Sequence, residues 1–193
     1  MQITEALKKR RTIRKFEQKQ IPHAILEELV DYARISACGA NLQPLKYMIL
    51  DTPELLEKVY PLTKWAGYLP DGAPGENERP MAYIAILTDK QIKESSEVDA
   101  GSAITSMMLG AMEHGLGSCW LGAIQRPALL ELFKLSPEQY QLSYLLALGY
   151  PAQQSKTVSF SGDVRYYPDE DGSLCVPKRS MEEILLPPPG KEF

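Results

Sequence analysis

Lys8, Lys9, Arg10, Arg11, Arg14 and Lys15 put six cations within eight residues. A second basic pair, Lys178 and Arg179, stands directly before Ser180, and Ser180 with Glu183 has the spacing of a capping box that opens a helix. Cations at a helix N-terminus oppose its dipole by a few tenths to about 1 kcal/mol, and an anion lying between turns that conflict into attraction. Arg forks and helix N-terminal amides both match phosphate oxygens, so the chemistry these clusters suit is retention of one phosphate, provided the fold brings the two chain ends together. The first cluster also has a plainer account: Lys8 to Arg11 end a helix, where cations complement the dipole without any ligand.

A third feature is Asn41-Leu42-Gln43-Pro44, which follows the small residues Ala37, Cys38, Gly39 and Ala40. Pro44 predicts an extended Gln43 and two amides held in a thin-walled loop, able to donate and accept as a uracil-like ring edge requires. The same run is also an ordinary turn sequence. Hydrolytic templates are missing: His23 and His114 are the only two histidines, and neither GxSxG nor HExxH occurs. There is no GxxxxGK, and Gly115-Leu116-Gly117-Ser118-Cys119-Trp120 has Trp where a dinucleotide fingerprint needs its third Gly. Cys38, Cys119 and Cys175 form no CxxC pair, which argues against a zinc site and a disulfide framework and reads as small hydrophobes in a reducing compartment.

Several elements must carry these residues. Ile3 to about Arg10 reads as a helix, and Pro22 opens a second one ending near Ser36 with Gly39 as its expected cap. Tyr47–Leu50, Ala82–Thr88, Ser118–Leu121 and Leu142–Leu148 read as strands, alternating with helices after Pro53 and Pro127. From Ala100 to Met112 there is no charge, and apolar residues cover most of the circumference. Such a helix is expected to be central, shared with a second subunit or buried in a monomer's core. Residues 61–80 are irregular; a loop of that length inside a compact domain is usually functional, so it is expected to form a lid or wall that carries Trp65 and Tyr68. A hairpin is expected from Val164–Tyr167 and Ser173–Val176, then a short helix from Met181, then an extended tail at Pro187-Pro188-Pro189-Gly190 able to wrap a partner.

The chain has 193 residues, 44% hydrophobic and 24% charged, with a net charge of −4, which excludes a disordered or fibrous class and gives no basic excess for nucleic acid. One domain over 1–193 is expected. Its N-terminus lacks a basic segment followed by an apolar one, and its longest uncharged run, 17 residues from Gln139, is broken by Gln, Ser, Gly and Pro. A cytoplasmic protein without membrane association is expected.

Five stretches together resemble the nitroreductase family of FMN-dependent oxidoreductases. They are Arg10-Arg11-Thr12-Ile13-Arg14-Lys15-Phe16, Asn41-Leu42-Gln43-Pro44, Asp99-Ala100-Gly101-Ser102-Ala103, Gly115 to Gly122, and Ala147-Leu148-Gly149-Tyr150-Pro151. The resemblance implies an α+β, three-layer fold with a central mixed, mostly antiparallel sheet flanked by helices, in an intertwined homodimer. It implies that Arg10, Arg11 and Thr12 meet the FMN phosphate with Lys178 and Arg179, and that Arg14 reaches the ribityl chain or the N1/O2 edge. Cys38, Gly39, Asn41 and Gln43 of the partner subunit help line the flavin, and Leu121 and Gly122 offer backbone groups near N5. The implied reaction is ping-pong: NADH or NADPH reduces the flavin, then a nitroaromatic, quinone or activated alkene takes the electrons, with Trp65 and Tyr68 gating or stacking that acceptor. Flavin binding or redox sensing without turnover is the alternative, and an anion-binding domain without flavin is a third reading. Two departures stand out: Leu45 follows the Gln-Pro pair where many relatives have Trp, and Trp120-Leu121-Gly122-Ala123 lacks the Glu that some relatives place near N5.

Overall fold

The computed structural model describes residues 2–190. Four strands, β1 (Leu45–Leu50), β2 (Ala82–Asp89), β3 (Gly117–Leu121) and β4 (Tyr140–Gly149), form a sheet of order β1-β2-β4-β3 with every pairing antiparallel. Thr12 adds a parallel bridge to Ser118 at the β3 edge, so the sheet is mixed but mostly antiparallel, as expected.

β2 and β4 lie in the middle because both of their faces are apolar. All of β2 is buried, and Leu145, Leu146, Ala147 and Leu148 of β4 are fully buried although alternate side chains point to opposite faces. One face receives α2 (His23–Arg34) and α4 (Glu97–Glu113), where Leu26, Leu29, Ile104 and Met107 meet Ile84, Ile86 and Leu146. The other face receives α3 (Pro53–Val59) and α5 (Arg126–Leu132), where Val59 and Leu129 meet Tyr83, Leu87 and Leu145. Each fully buried Leu, Ile or Met contributes roughly 1.5–3 kcal/mol of transfer free energy, so this helix-sheet-helix sandwich is the main stabilising unit.

Helix termini follow local chemistry. α1 (Ile3–Lys9) carries Lys8 and Lys9 in its last turn. α4 ends in a Schellman motif, with Leu116 N–H donating to Ala111 O at 2.9 Å, Gly115 N–H to Met112 O at 3.1 Å, and Gly115 at φ +70°. Gly39 is not the cap of α2: that helix closes at Ile35 in the right-handed region, with Ser36 Oγ donating to Tyr32 O at 2.8 Å, and Gly39 instead begins a 3-10 turn. Nor is α4 covered all round within one chain, because Val98 and Thr105 are exposed and Gly101, Ser102 and Leu109 only half-buried along one stripe.

The C-terminal region forms a second sheet of order β5-β7-β6, from β5 (Ser155–Ser159), β6 (Tyr167–Pro168) and β7 (Leu174–Lys178). The expected hairpin exists but is shorter on its first arm, and β5, which runs parallel to β7, is an addition that its polar Ser-Lys-Thr start conceals. α6 (Met181–Ile184) opens with the expected capping box: Glu183 N–H donates to Ser180 Oγ at 3.4 Å and Ser180 N–H to Glu183 Oε2 at 2.9 Å.

Candidate functional site

The cationic stretch after α1 is threaded along the sheet edge. Ile13 N–H donates to Ser118 O at 2.9 Å, Phe16 N–H to Glu78 O at 2.9 Å, Glu17 N–H to Tyr150 O at 2.8 Å, and Ala152 N–H returns to Lys15 O at 3.0 Å. Two glycines let it come this close. Gly117 and Gly149 are register partners, and a Cβ at either would lie 2.8 Å from Ile13 Cβ or 2.7 Å from Phe16 Cβ.

Arg10, Arg11 and Lys9 line a cavity of about 300 Å³ with Ser118 and Gln153. Among the described residues the Arg10 side chain makes no hydrogen bond or ion pair. Burial, and then the charge of Arg11, push the Arg10 guanidinium below its ordinary value. Arg11 donates to Lys8 O at 2.8 Å and to Thr157 Oγ1 at 3.2 Å, while its buried Nε has no partner among the described residues. Two adjacent guanidiniums, one desolvated and lacking a carboxylate, form a site that an anion stabilises.

The Arg11–Thr157 contact joins the chain ends. Thr157 of β5 pairs with Val176 of β7, and Lys178 lies two residues on, roughly 7 Å along the strand. Lys178 is exposed, and Arg179 has partners: its guanidinium lies 4.2 Å over the Phe160 ring and pairs with Glu183 at 3.1 Å. Glu183 therefore supplies the charge that relieves the conflict between Arg179 and the α6 dipole, which needs no external anion.

Arg14 faces a neighbouring cavity of about 750 Å³, walled by Gln153, Lys15 and residues Leu69 to Gly72 of the long loop. Gln153 and Gln154 line both cavities and stand between them. The Arg14 guanidinium lies 4.5 Å over the Tyr166 ring, which in turn meets Tyr68 at 5.0 Å. No sequence motif marks Thr157, Gln153 or Tyr166. Each lies about 140 residues or more from the Arg it touches, a relation no local pattern carries.

The loop spanning 61–80 does form a wall, but its aromatics are placed differently. Trp65 packs against the α3/α5 core, stacks on Tyr60 at 6.3 Å and donates its indole N–H to Thr63 Oγ1 at 2.8 Å. Tyr68 stays more than half exposed at 53%. Leu121 is buried at the end of β3, and Gly122 faces the Tyr144 ring.

Cys38 and Gln43 line a separate cavity of about 210 Å³ with Asp99 and Tyr47, apart from Arg10, Arg11 and Arg14 of the same chain. Gln43 is not extended: its φ is +53°, and Ala40 at +51° and Asn41 at +53° share the left-handed region. The tight turn closed by Asn41 N–H to Cys38 O at 3.0 Å overrides the bias that Pro44 exerts. Three such residues in four make a strained segment, of the kind found at binding sites. The Gln43 side chain donates to Asn41 O at 3.1 Å, and Gln43 N–H points to Cys38 Sγ at 3.3 Å.

Asp99 anchors this turn. Its carboxylate accepts from Gly39 N–H at 2.8 Å and from Lys93 at 2.9 Å, and these partners, Gly39 first, hold its pKa below the usual value. A depressed folded pKa means the contribution is complete above the unfolded value of about 3.9 and is lost as pH falls through the lower folded value. Asp99→Asn is therefore expected to flatten the acid limb of the thermal-stability profile below about pH 4. Parallel acid limbs in mutant and parent would show that the turn does not depend on this charge. Burial pushes the Cys119 thiol up to about 11, so it stays protonated and is no nucleophile. Among the described residues no group of three or more His, Cys, Asp or Glu could hold a metal, and no helix is long and apolar enough to cross a membrane.

The family model described as "Putative TM nitroreductase" matches residues 2–171, from α1 through β6 but short of β7, Lys178 and Arg179. A "Putative NADH dehydrogenase/NAD(P)H nitroreductase" of Methanothermobacter thermautotrophicus is 26% identical over 81% of this chain and 81% of its own length. The iodotyrosine deiodinase of Nematostella vectensis is 33% identical over 79% of this chain and 68% of its own. Among solved structures, a "putative nitroreductase in complex with fmn" from Desulfovibrio desulfuricans superposes with a TM-score of 0.72 at 24% identity, covering 99% of both chains. Since the match takes in the Arg-rich stretch, the strained turn and every strand of the main sheet, the chain belongs to the nitroreductase family.

Proposed function

We propose that the protein is an FMN-dependent oxidoreductase that uses NADH or NADPH. The observation that carries this reading is the desolvated Arg10 guanidinium, which lies beside Arg11 with no carboxylate partner among the described residues, in a cavity bordered by Ser155 at the start of β5. The donor set fits a phosphomonoester: Arg10 and the unpartnered Arg11 Nε supply charge, Thr12 and Thr157 lie beside them, and Lys178 approaches from β7. The FMN complex of the Desulfovibrio relative supports the same cofactor.

Arg10, Arg11 and Lys178 would hold the phosphate, and Arg14 would favour negative charge on the N1/O2 edge. Bound FMN supplies hydride exchange, by turns, between a reduced nicotinamide nucleotide and a small acceptor such as a nitroaromatic, quinone or activated alkene. Leu121 and Gly122 would present backbone groups at the reacting edge, and the 61–80 loop with Tyr68 would exclude water above it. In this reading the ring sits between two copies, with Cys38, Gly39, Asn41 and Gln43 coming from the second. Support for a homodimer is the open, uncharged stripe of α4 and the exposed Ile3, Leu7, Met181, Ile184 and Leu186.

The test is the visible spectrum after FMN addition and removal of excess, followed under anaerobic NADH and then NADPH. A retained yellow band that either nucleotide bleaches supports the assignment. A band that neither bleaches favours a flavin-binding module without turnover, and a colourless protein overturns the cofactor. Since Arg179 is shared with Glu183 and Phe160, Arg179→Ala is expected to weaken FMN binding only about 2- to 5-fold, measured by fluorescence quenching. A loss as large as that of Arg10→Ala would instead make Arg179 a principal phosphate ligand.

A further inference from the structure

We propose that Tyr166 is a positioning residue for the flavin: its ring holds the Arg14 guanidinium at the N1/O2 edge without neutralising it. The proposal rests on the FMN reading above, in which Arg14 serves that edge.

Backbone contacts fix where the Arg14 side chain starts but not where it ends. Ile13 N–H donates to Ser118 O at 2.9 Å and Arg14 N–H to Gln153 Oε1 at 3.1 Å, so the main chain is tied to β3 on one side and to Gln153 on the other. Among the described residues the half-buried guanidinium makes no hydrogen bond or ion pair. What it meets is the Tyr166 ring, whose centre lies 4.5 Å away. The ring is itself braced. Tyr68 lies against it at 5.0 Å with a 50° tilt, and the next residue, Tyr167, pairs with Cys175 across β6 and β7. Just before it, Arg165 N–H donates to Asp163 Oδ1 at 2.9 Å and closes a turn.

An aromatic face suits this task better than a carboxylate. A carboxylate would occupy the N–H donors of Arg14 and cancel its charge, whereas a ring attracts the cation through its quadrupole and leaves the donors for an incoming acceptor. Other cations nearby show the contrast. Arg165 pairs with Asp163 at 2.6 Å, Arg179 pairs with Glu183 at 3.1 Å although it too lies over a ring, and Glu78, on the wall of the Arg14 cavity, is taken by Lys15 at 3.0 Å. The Arg14 charge reaches β3, where it acts on the Cys119 thiol against the larger effect of burial, two residues before Leu121. A cation fixed there favours negative charge at the flavin edge, and one free to swing into solvent is screened.

The test is the midpoint potential of bound FMN, read by anaerobic dye-equilibrated reduction. Tyr166→Leu is expected to lower it, disfavouring the reduced form about 5-fold or more, which is about 20 mV for a two-electron couple. Tyr166→Phe keeps the ring, and among the described residues the Tyr166 hydroxyl makes no hydrogen bond, so this variant is expected to match the parent. Arg14→Gln alone should lower the potential at least as far as Tyr166→Leu, and adding Tyr166→Leu to it should change nothing further, because the ring acts only through Arg14. An unshifted potential in Tyr166→Leu or Arg14→Gln, an equal shift in Tyr166→Phe, or a full further shift in the double variant each overturns the positioning role. Tyr166 is only half-buried, so Tyr166→Leu is expected to fold. Failure of the flavin reading looks different: the parent itself then shows no yellow band, and both proposals fall together.

Discussion

Arg10→Ala is expected to lower FMN affinity by about 10- to 100-fold, since charge-assisted bonds to a phosphate typically contribute about 1.5–3 kcal/mol each. The protein without FMN is expected to melt no lower than its parent. Among the described residues the Arg10 side chain has no partner, and it stands beside Arg11 with its guanidinium desolvated, so removing it relieves a repulsion. That combination separates a ligand-binding residue from a structural one: the loss appears in binding and not in the melting of the free chain. Arg10→Lys should fall between, since it keeps the charge but loses the two-pronged fork. Affinity unchanged in Arg10→Ala, measured at low salt where the charge acts most strongly, would place the phosphate elsewhere.

How far these arguments were visible in the sequence depends on the distance over which each interaction acts. The strands at 82–89 and 140–149 were legible because a strand buried on both faces is a continuous apolar run, and the α4 terminus because Gly115 directly follows the last helical turn. The cationic cluster was legible as charge, but its selectivity was not. Lys9 pairs with Glu5 and Arg179 with Glu183, each four residues apart, while Arg10 has no counter-charge among the described residues. The turn at 38–43 departs from the sequence expectation because Pro44 constrains Gln43 only locally. Asp99, about sixty residues away, ties down Gly39 by a bond that no neighbour of the turn announces. β5 leaves no apolar signature in the sequence because its stabilising partner is β7 and not a run of its own hydrophobic side chains.

The glycine pair behind the cationic stretch leads to the second large effect. Gly149→Ala is expected to destabilise the protein by about 1–3 kcal/mol, because the added Cβ would lie 2.7 Å from both Cβ and Cδ1 of Phe16, a residue with no exposed surface. The backbone cannot yield easily there. Gly149 pairs with Gly117 across β3 and β4, and Glu17 and Lys15 are hydrogen-bonded to the 150–152 segment on either side of Phe16. The ring must therefore move, and Arg14, two residues before it, moves as well. Loss of stability and weaker FMN binding should appear together, in contrast to Arg10→Ala, where only binding falls. Phe16→Ala in the same chain removes Cγ and Cδ1, two of the three atoms the new methyl would meet, so the two substitutions should combine to less than their sum in a double-mutant cycle read by thermal or denaturant unfolding. Strict additivity would mean that the Gly149 methyl is accommodated without touching Phe16, and the close approach of the Arg-bearing strand to the sheet edge would then not be what requires glycine at this position.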